Sequence, residues 1–447
     1  MAESRGLTPL PQPCAPARDW VRYDLAVRRI HSWFPQPGTV PEQAGVPSEA
    51  LCHGDGRVRE AALRGEIPDG LLSLVVLRCA DWAGPVRDAA RAVLTGAAPE
   101  TLVDAAETVL RVAARRHGGY AEELLLTRLA QGEQALQERA FTHPSRRVRR
   151  WAFRQAVEGG SLTVARLAEG AVSDPDVLVQ ETCATAALAS SPVPEDVHDR
   201  MLSARAARVR AIAVTVLRRT GRQGKAEAML TDRSAMVRAC AQWAVRTTGS
   251  EPARHYRTAL ASGGALTRGV VAGLGECGGK ADAALLTPLL TDPRAAVRAA
   301  AVGALHNLGA AHPECLAPLL DDPSPAVVRR VAVALEPDAC TLPVDGLRAR
   351  LAPEHPGHVR RAALRLLGAH SRGLAPLRAA LALVDDADPA LRARAHALAT
   401  RWSPPDSAAL CAALPARERA RLSAEIEQAA PSLGPHPVRV LRWILQL

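Results

Sequence analysis

A few clusters in this chain have residue types and spacings that could do chemistry. Gly273-Leu274-Gly275-Glu276-Cys277-Gly278 matches the GxGxxG pattern of a dinucleotide-binding turn, and Gly279-Lys280 follows it. Such a turn needs a strand before it and a helix starting within it, so that backbone N–H groups face a pyrophosphate. Here the helical spacing of Val270, Val271 and Leu274 comes first, and the glycines fall where that helix must stop. Glycine's tolerance of positive φ suits it to such a stop. A P-loop would need Gly at position 274 and Ser or Thr after Lys280, where the chain has Leu274 and Ala281. The cluster is therefore expected to be a helix-terminating turn. His355 and His358 flank the turn PEHPGHVR with Glu354 beside them. A metal would need these donors to converge, and their spacing reads as a solvated turn. There is no HExxH, and no Cys stands beside a His with an orienting carboxylate; Cys52-His53 is an adjacency alone. No catalytic residue, metal site or cofactor is expected.

The elements that carry these residues read as short helices. In KADAALLTPLLTDPRAAVRAAAVGALHNLG, Lys280 to Gly309, the leucines at 285, 286, 289 and 290 share one side of a first helix. Val297, Ala301, Ala304, Leu305 and Leu308 follow one face of a second. Asp292 is expected as its N-cap, with Pro293 at the first helical position. Neither helix can cover its apolar face alone, but the pattern recurs. Indexed by the residue before a signature Arg, the copies fall at Val58, Val86, Val148, Val179, Val209, Val237, Thr267, Val297, Val328, Val359, Leu391 and Val438. Their spacing is 28 to 32 residues except for 62 before Val148 and 47 before Val438. The wide gap holds one copy without its signature, expected as helices over Glu100–Arg116 and Tyr120–Ala130. A two-helix period near 30 predicts an all-α fold, an α-solenoid.

Composition agrees with stacked small-residue helices. The chain has 447 residues, 48% hydrophobic but only 3% aromatic, so Ala, Leu and Val must build the core. The net charge of +10 favours an anionic partner. Only Lys225 and Lys280 are lysines, however, and Arg with Ala in such excess reads as the codon bias of a GC-rich bacterial genome. Nine scattered cysteines without a CxxC predict reduced thiols and a cytoplasmic protein. The opening MAESRGLTPLPQP lacks the pattern of a signal peptide. No apolar run approaches the roughly 20 residues of a membrane span, so no membrane partner is expected. Three regions are expected. Residues 1–50 form a Pro-rich extension with one amphipathic capping helix from Asp19 to Phe34, whose face is Trp20, Tyr23, Val27, Ile30 and Phe34. A link over Pro35 to Pro47 follows that helix. Residues 51–400 form the array, and 401–447 an irregular repeat and cap ending in apolar PVRVLRWILQL.

The segment LGECGGKADAALLTPLLTDPRAAVRAAAVGALHNLG resembles the HEAT-like repeats first described in phycobilin (PBS) lyases, with LGxLG closing one repeat and Asp-x-x-x-x-Val-Arg opening the next helix. The likeness runs from Leu51 to Ala399 and implies about 12 hairpins with caps at both ends. It also implies a ladder in which an Asp six positions before the Arg bridges neighbouring repeats. The pairs at that spacing are Asp81/Arg87, Asp174/Gln180, Asp232/Arg238, Asp292/Arg298 and Asp386/Arg392, with Asp322/Arg329 one residue longer. Gln180 removes the charge from its pair, and His53 and His143 stand in place of Asp.

The resemblance further implies that second helices line the concave side. With the Val inward, 100° per residue sends the second, fifth, sixth and ninth residues after it to the opposite face. That face carries Arg150 with Arg154, and Arg330 with Arg361 and Arg365, while Trp151 and Trp243 offer flat apolar contacts. The stripe is mixed in charge, whereas a duplex-binding groove would show a longer run of cations. The expectation is a non-enzymatic scaffold or adaptor that binds a protein or peptide along this groove. Arg150, Arg154, Trp243, Arg330, Arg361 and Arg365 are the candidate contacts. The alternative is a nucleic-acid binder like the HEAT-like DNA glycosylases, with Glu181 as the nearest groove carboxylate. A chromophore or cofactor lyase rests on the repeat's family name alone.

Overall fold

The computed structural model describes residues 9–13, 15–33, 46–262, 266–370 and 373–447. The expectations for Phe34, the side chain of Ile30 and most of the Pro35–Pro47 link lie outside the described residues. Among the described residues every regular element is a helix and no strand occurs. None of these helices is long and apolar enough to cross a membrane.

Local chemistry explains the elements. Between Lys280 and Gly309 the second helix runs Ala295–Asn307, with Val297, Ala301, Val302, Ala304 and Leu305 buried. It begins later than Asp292-Pro293 suggests. Arg294 is the N-cap, and Asp292 sits two residues earlier, where its Oδ1 accepts the Arg294 N–H at 2.8 Å. The first helix is broken into a 3₁₀ turn Lys280–Asp282, an α-helix Ala283–Leu286 and a 3₁₀ turn Thr287–Thr291. Pro288 has no N–H to continue the α ladder, so the last turn tightens. Leu286 and Leu290 are buried there, whereas Leu285 is exposed.

Inter-residue contacts divide the chain into two units, Met1–Val209 and Arg210–Leu447. In the first, the second helices are Gly56–Arg64, Gly84–Gly96, Gly119–Gln131, Arg146–Glu158 and Val177–Ala189. The signature-less copy forms Pro99–Asp104, Ala106–Val112 and Gly119–Gln131. The helix Ala17–Trp33 buries Trp20, Tyr23 and Val27 and lies against the first helices Leu72–Arg78 and Ala106–Val112. A buried charge cluster fastens it: Arg78 reaches Asp24 at 2.7 Å, and Arg28 bonds Asp24 at 3.1 Å. Arg59, wholly buried, grips Asp81 at 2.8 Å.

In the second unit the second helices are Ala235–Arg246, Arg268–Cys277, Ala295–Asn307, Pro325–Ala334, Gly357–Ala369 and Pro389–Arg401. Consecutive ones pack face to face. The indexed valines Val237, Val297, Val328 and Val359 are all buried. Ser407–Ala412, Ala416–Leu433 and Pro435–Leu445 end the unit; Val438, Leu441 and Leu445 are buried while Trp443 is 81% exposed.

Candidate functional site

One guanidinium recurs at the fourth residue of the second helices and ties the hairpins together. Arg298 donates through Nη1 to the carbonyls of Asp292 and Pro293, at 2.8 and 3.1 Å. Its Nε and Nη2 fork onto the carboxylate of Asp322 in the next hairpin, at 2.8 and 2.9 Å. Asp322 Oδ1 then accepts the Ser324 N–H at 2.8 Å, ordering the turn into the following helix. Arg59 on Asp81, Arg149 on Asp174, Arg210 on Asp232 and Arg360 on Asp386 repeat the inter-hairpin link. The expected pairing is thus corrected. At Asp81, Asp232 and Asp386 the Arg six residues on bonds the backbone carbonyl, and the carboxylate belongs to the Arg of the preceding hairpin. The Asp292 carboxylate is instead held by Arg294 of its own turn. Gln180 keeps the local half, donating to the Asp174 carbonyl at 2.6 Å. His53 and His143 keep the turn, since Nδ1 accepts the Asp55 and Ser145 N–H at 2.9 and 3.0 Å.

The hydrogen bonds from Arg150, Arg257 and Arg360 hold Asp176, Asp282 and Asp386 below the usual carboxylate range. Burial pushes the His143 imidazole down from its ordinary value.

Two second helices of the second unit leave this ladder. In the first of them the helix starts on time and the signature is late. Pro325 follows Asp322 by three residues, as Ala295 follows Asp292. The fourth residue of Pro325–Ala334 is nonetheless Val328, wholly buried, and Arg329 falls one place later, level with Ala299. The extra residue turns Arg329 about 100° around the helix, out of the ladder. His358 takes the vacated position, its Nε2 lying 3.2 Å from the Asp322 carbonyl. In Arg268–Cys277 the helix itself starts late. Thr267 is an exposed N-cap rather than an inward residue, Arg268 is the first helical residue and buried Val271 the fourth. Arg268 donates instead to the Arg233 carbonyl at 2.9 Å. Arg238, lacking an Asp ahead, forks onto Glu276 of the next second helix.

A cleft of about 530 Å³ opens where the ladder lapses. Its floor is Ala272, Ala299, Ala300, Gly303 and Ala304, and Arg233, Arg268, Arg329 and Arg330 stand around it. Arg329 and Arg330 are exposed and make no ion pair among the described residues. A Cβ on Gly303 would meet only the Arg330 guanidinium, at 3.8 Å.

The candidate contacts divide accordingly. Arg330 lines the cleft. Trp243, 48% exposed, is the ninth residue of its helix, as Glu276 and Gly303 are of theirs. Arg361 is held by Asp388 at 2.5 Å, and Arg365 by Glu336 at 3.0 Å through Nε. In the first unit Arg150 forks onto Asp176 at 2.8 and 2.7 Å, while Arg154 is exposed without an ion pair among the described residues. Trp151 is buried, donating to Glu122 at 2.9 Å, so it offers no groove surface. Glu181 is paired with Arg208 at 2.9 Å. Arg268, Arg329 and the alanine floor were not singled out by residue type. The signal for Arg329 was the seven-residue spacing from Asp322.

The GxGxxG glycines need a different explanation from the expected one. Gly273 and Gly275 lie inside the helix Arg268–Cys277, and Gly278 closes it at φ −79°. A Cβ on Gly273 would come within 2.2 Å of the Tyr256 ring, and one on Gly275 within 2.4 Å of Ala304 Cα. Close helix packing, not positive φ, requires them.

Residues 264–336 match the family described as HEAT repeats. No curated protein matches the chain. Among solved structures, Kap121p is 12% identical over 88% of this chain and 53% of its own, with a TM-score of 0.36. The karyopherin Kap121p bound to the SUMO protease Ulp1p is 11% identical over 97% of this chain and 55% of its own, also at 0.36. The chain spans about half the length of these proteins. With its stacked hairpins and the match at residues 264–336, the chain is an all-α solenoid that carries HEAT repeats.

Proposed function

We propose that the protein is a non-enzymatic, cytoplasmic bacterial scaffold that holds a protein or peptide segment on the second-helix face of its second unit. One observation carries this reading: arginines displaced from the structural ladder stand around a cleft with an alanine and glycine floor. Small side chains let a partner backbone approach closely, and charged groups at the edge fix its register. A nucleic-acid reading is less well supported, because Arg361 and Arg365 beyond the cleft are already neutralised and no long cationic run remains there among the described residues.

Affinity capture with the full chain tests the proposal. Gly303→Trp fills the cleft from an open position, while Trp82→Ala alters an exposed residue of the first unit. A partner should be held by the parent protein and by Trp82→Ala and lost from Gly303→Trp, with unchanged helical circular dichroism. Equal capture by Gly303→Trp would exclude the cleft.

A further inference from the structure

We infer that the segment bound in this cleft is acidic, with Asp or Glu side chains meeting Arg329, Arg330 and Arg268. The inference rests on the scaffold reading and adds the partner's chemistry. Charge complementarity supports it. Arg298, Arg360 and Arg210 commit their guanidinium forks to carboxylates of the next hairpin, at 2.8 to 3.1 Å. Arg329 and Arg330 have the same donor geometry and no carboxylate partner among the described residues. Planar guanidinium groups take carboxylates through paired hydrogen bonds. The one carboxylate lining the cleft among the described residues, Glu276, is already occupied by Arg238. A bound Asp or Glu would thus give Arg329 and Arg330 a carboxylate partner.

The floor limits what the acidic segment can be. Ala299, Ala300, Gly303 and Ala304 provide no long side chain to read bases or stack on them. They leave room for a peptide backbone instead. The unpaired cations are also local: on the next second helix Arg361 faces Asp388, and Arg365 faces Glu336. That confinement suits a short run of carboxylates rather than the regular phosphates of a nucleic acid.

Fluorescence anisotropy with the full chain tests it. The probes are a labelled peptide alternating Glu and Ala, its Gln and Ala counterpart, and a single-stranded oligonucleotide of the same charge. The Glu peptide should bind about tenfold or more tighter than the Gln peptide, and Arg329→Glu with Arg330→Glu should remove that difference. Arg361→Ala, which changes an arginine already paired, should leave it in place. Helical circular dichroism confirms that each variant folds. Equal binding of the Glu and Gln peptides, no binding of either, or tighter binding of the oligonucleotide would overturn the inference. If Gly303→Trp still abolishes capture of a protein partner in those cases, the scaffold reading stands and only the acidic chemistry falls.

Discussion

At the scale of single residues, the fourth position of each second helix decides what an arginine does. Arg298 makes four hydrogen bonds, two to backbone carbonyls and two to Asp322, with little exposure. Arg298→Ala should lower stability by about 2 kcal/mol, read as the midpoint of urea unfolding. Arg329→Ala, one register away and exposed, should change it by less than about 0.5 kcal/mol. His143 supplies a pH dependence. It is buried, with Asp104, Glu107 and Arg149 the charged groups around it, and Nδ1 must stay unprotonated to accept the Ser145 N–H. Its folded pKa lies below the unfolded value of about 6.5. Its contribution is therefore complete above that pH and lost as the pH falls toward the lowered value. Stability measured against pH should begin to decline below about 6.5, and His143→Asp should shrink that decline, since a carboxylate accepts the same N–H. Asp176, Asp282 and Asp386 carry the same sign at lower pH: their contribution is present above about 3.9 and lost below it. The sequence shows His53 and His143 as breaks in an aspartate series; that Nδ1 can do the same capping is a matter of reach that letters do not display.

Among elements, close helix packing sets the limits. The helix Arg268–Cys277 passes so near Tyr256 and Ala304 that Gly273 and Gly275 have no room for a methyl group. Gly275→Val should cost about 1–3 kcal/mol through overpacking. Gly96→Ala, at the end of Gly84–Gly96 with nothing within 4 Å of the added Cβ, should be neutral or mildly stabilising. Thermal denaturation followed by circular dichroism separates the two. Helix existence was legible because the apolar spacing of Val297, Ala301, Ala304 and Leu305 has one period. Helix starts were less so. Asp292 reads as a capping residue and Thr267 as an inward one, yet Thr267 is the N-cap, accepting the Val270 N–H, and Asp292 orders the turn before Arg294. The cleft depends on those starts: spacing assigned Arg330 to this face, whereas Arg268 and Arg329 came to it through the shifted register of their helices.

Across the molecule, each hairpin leans on its neighbours, so damage should stay local. Hydrogen exchange of Arg298→Ala should quicken in Ala295–Asn307 and Pro325–Ala334 and remain unchanged in Gly56–Arg64. Uniform quickening along the chain would show instead that the array unfolds as one body. The repeat itself was legible because the period recurs across most of the chain, whereas the buried cluster of Asp24, Arg78 and Asp81 joins residues far apart in sequence and had no such signal.

In all five links of the ladder the guanidinium of one hairpin closes on the carboxylate of the hairpin after it. The stack consequently has a grain. A chain leaving the ribosome from its amino end presents each fork before the matching acid has been made, so the newest hairpin waits with an open donor for its successor. Excising a whole period would bring like ends together and let them mate again, whereas a cut within a hairpin would leave a fork and an acid that no longer face each other.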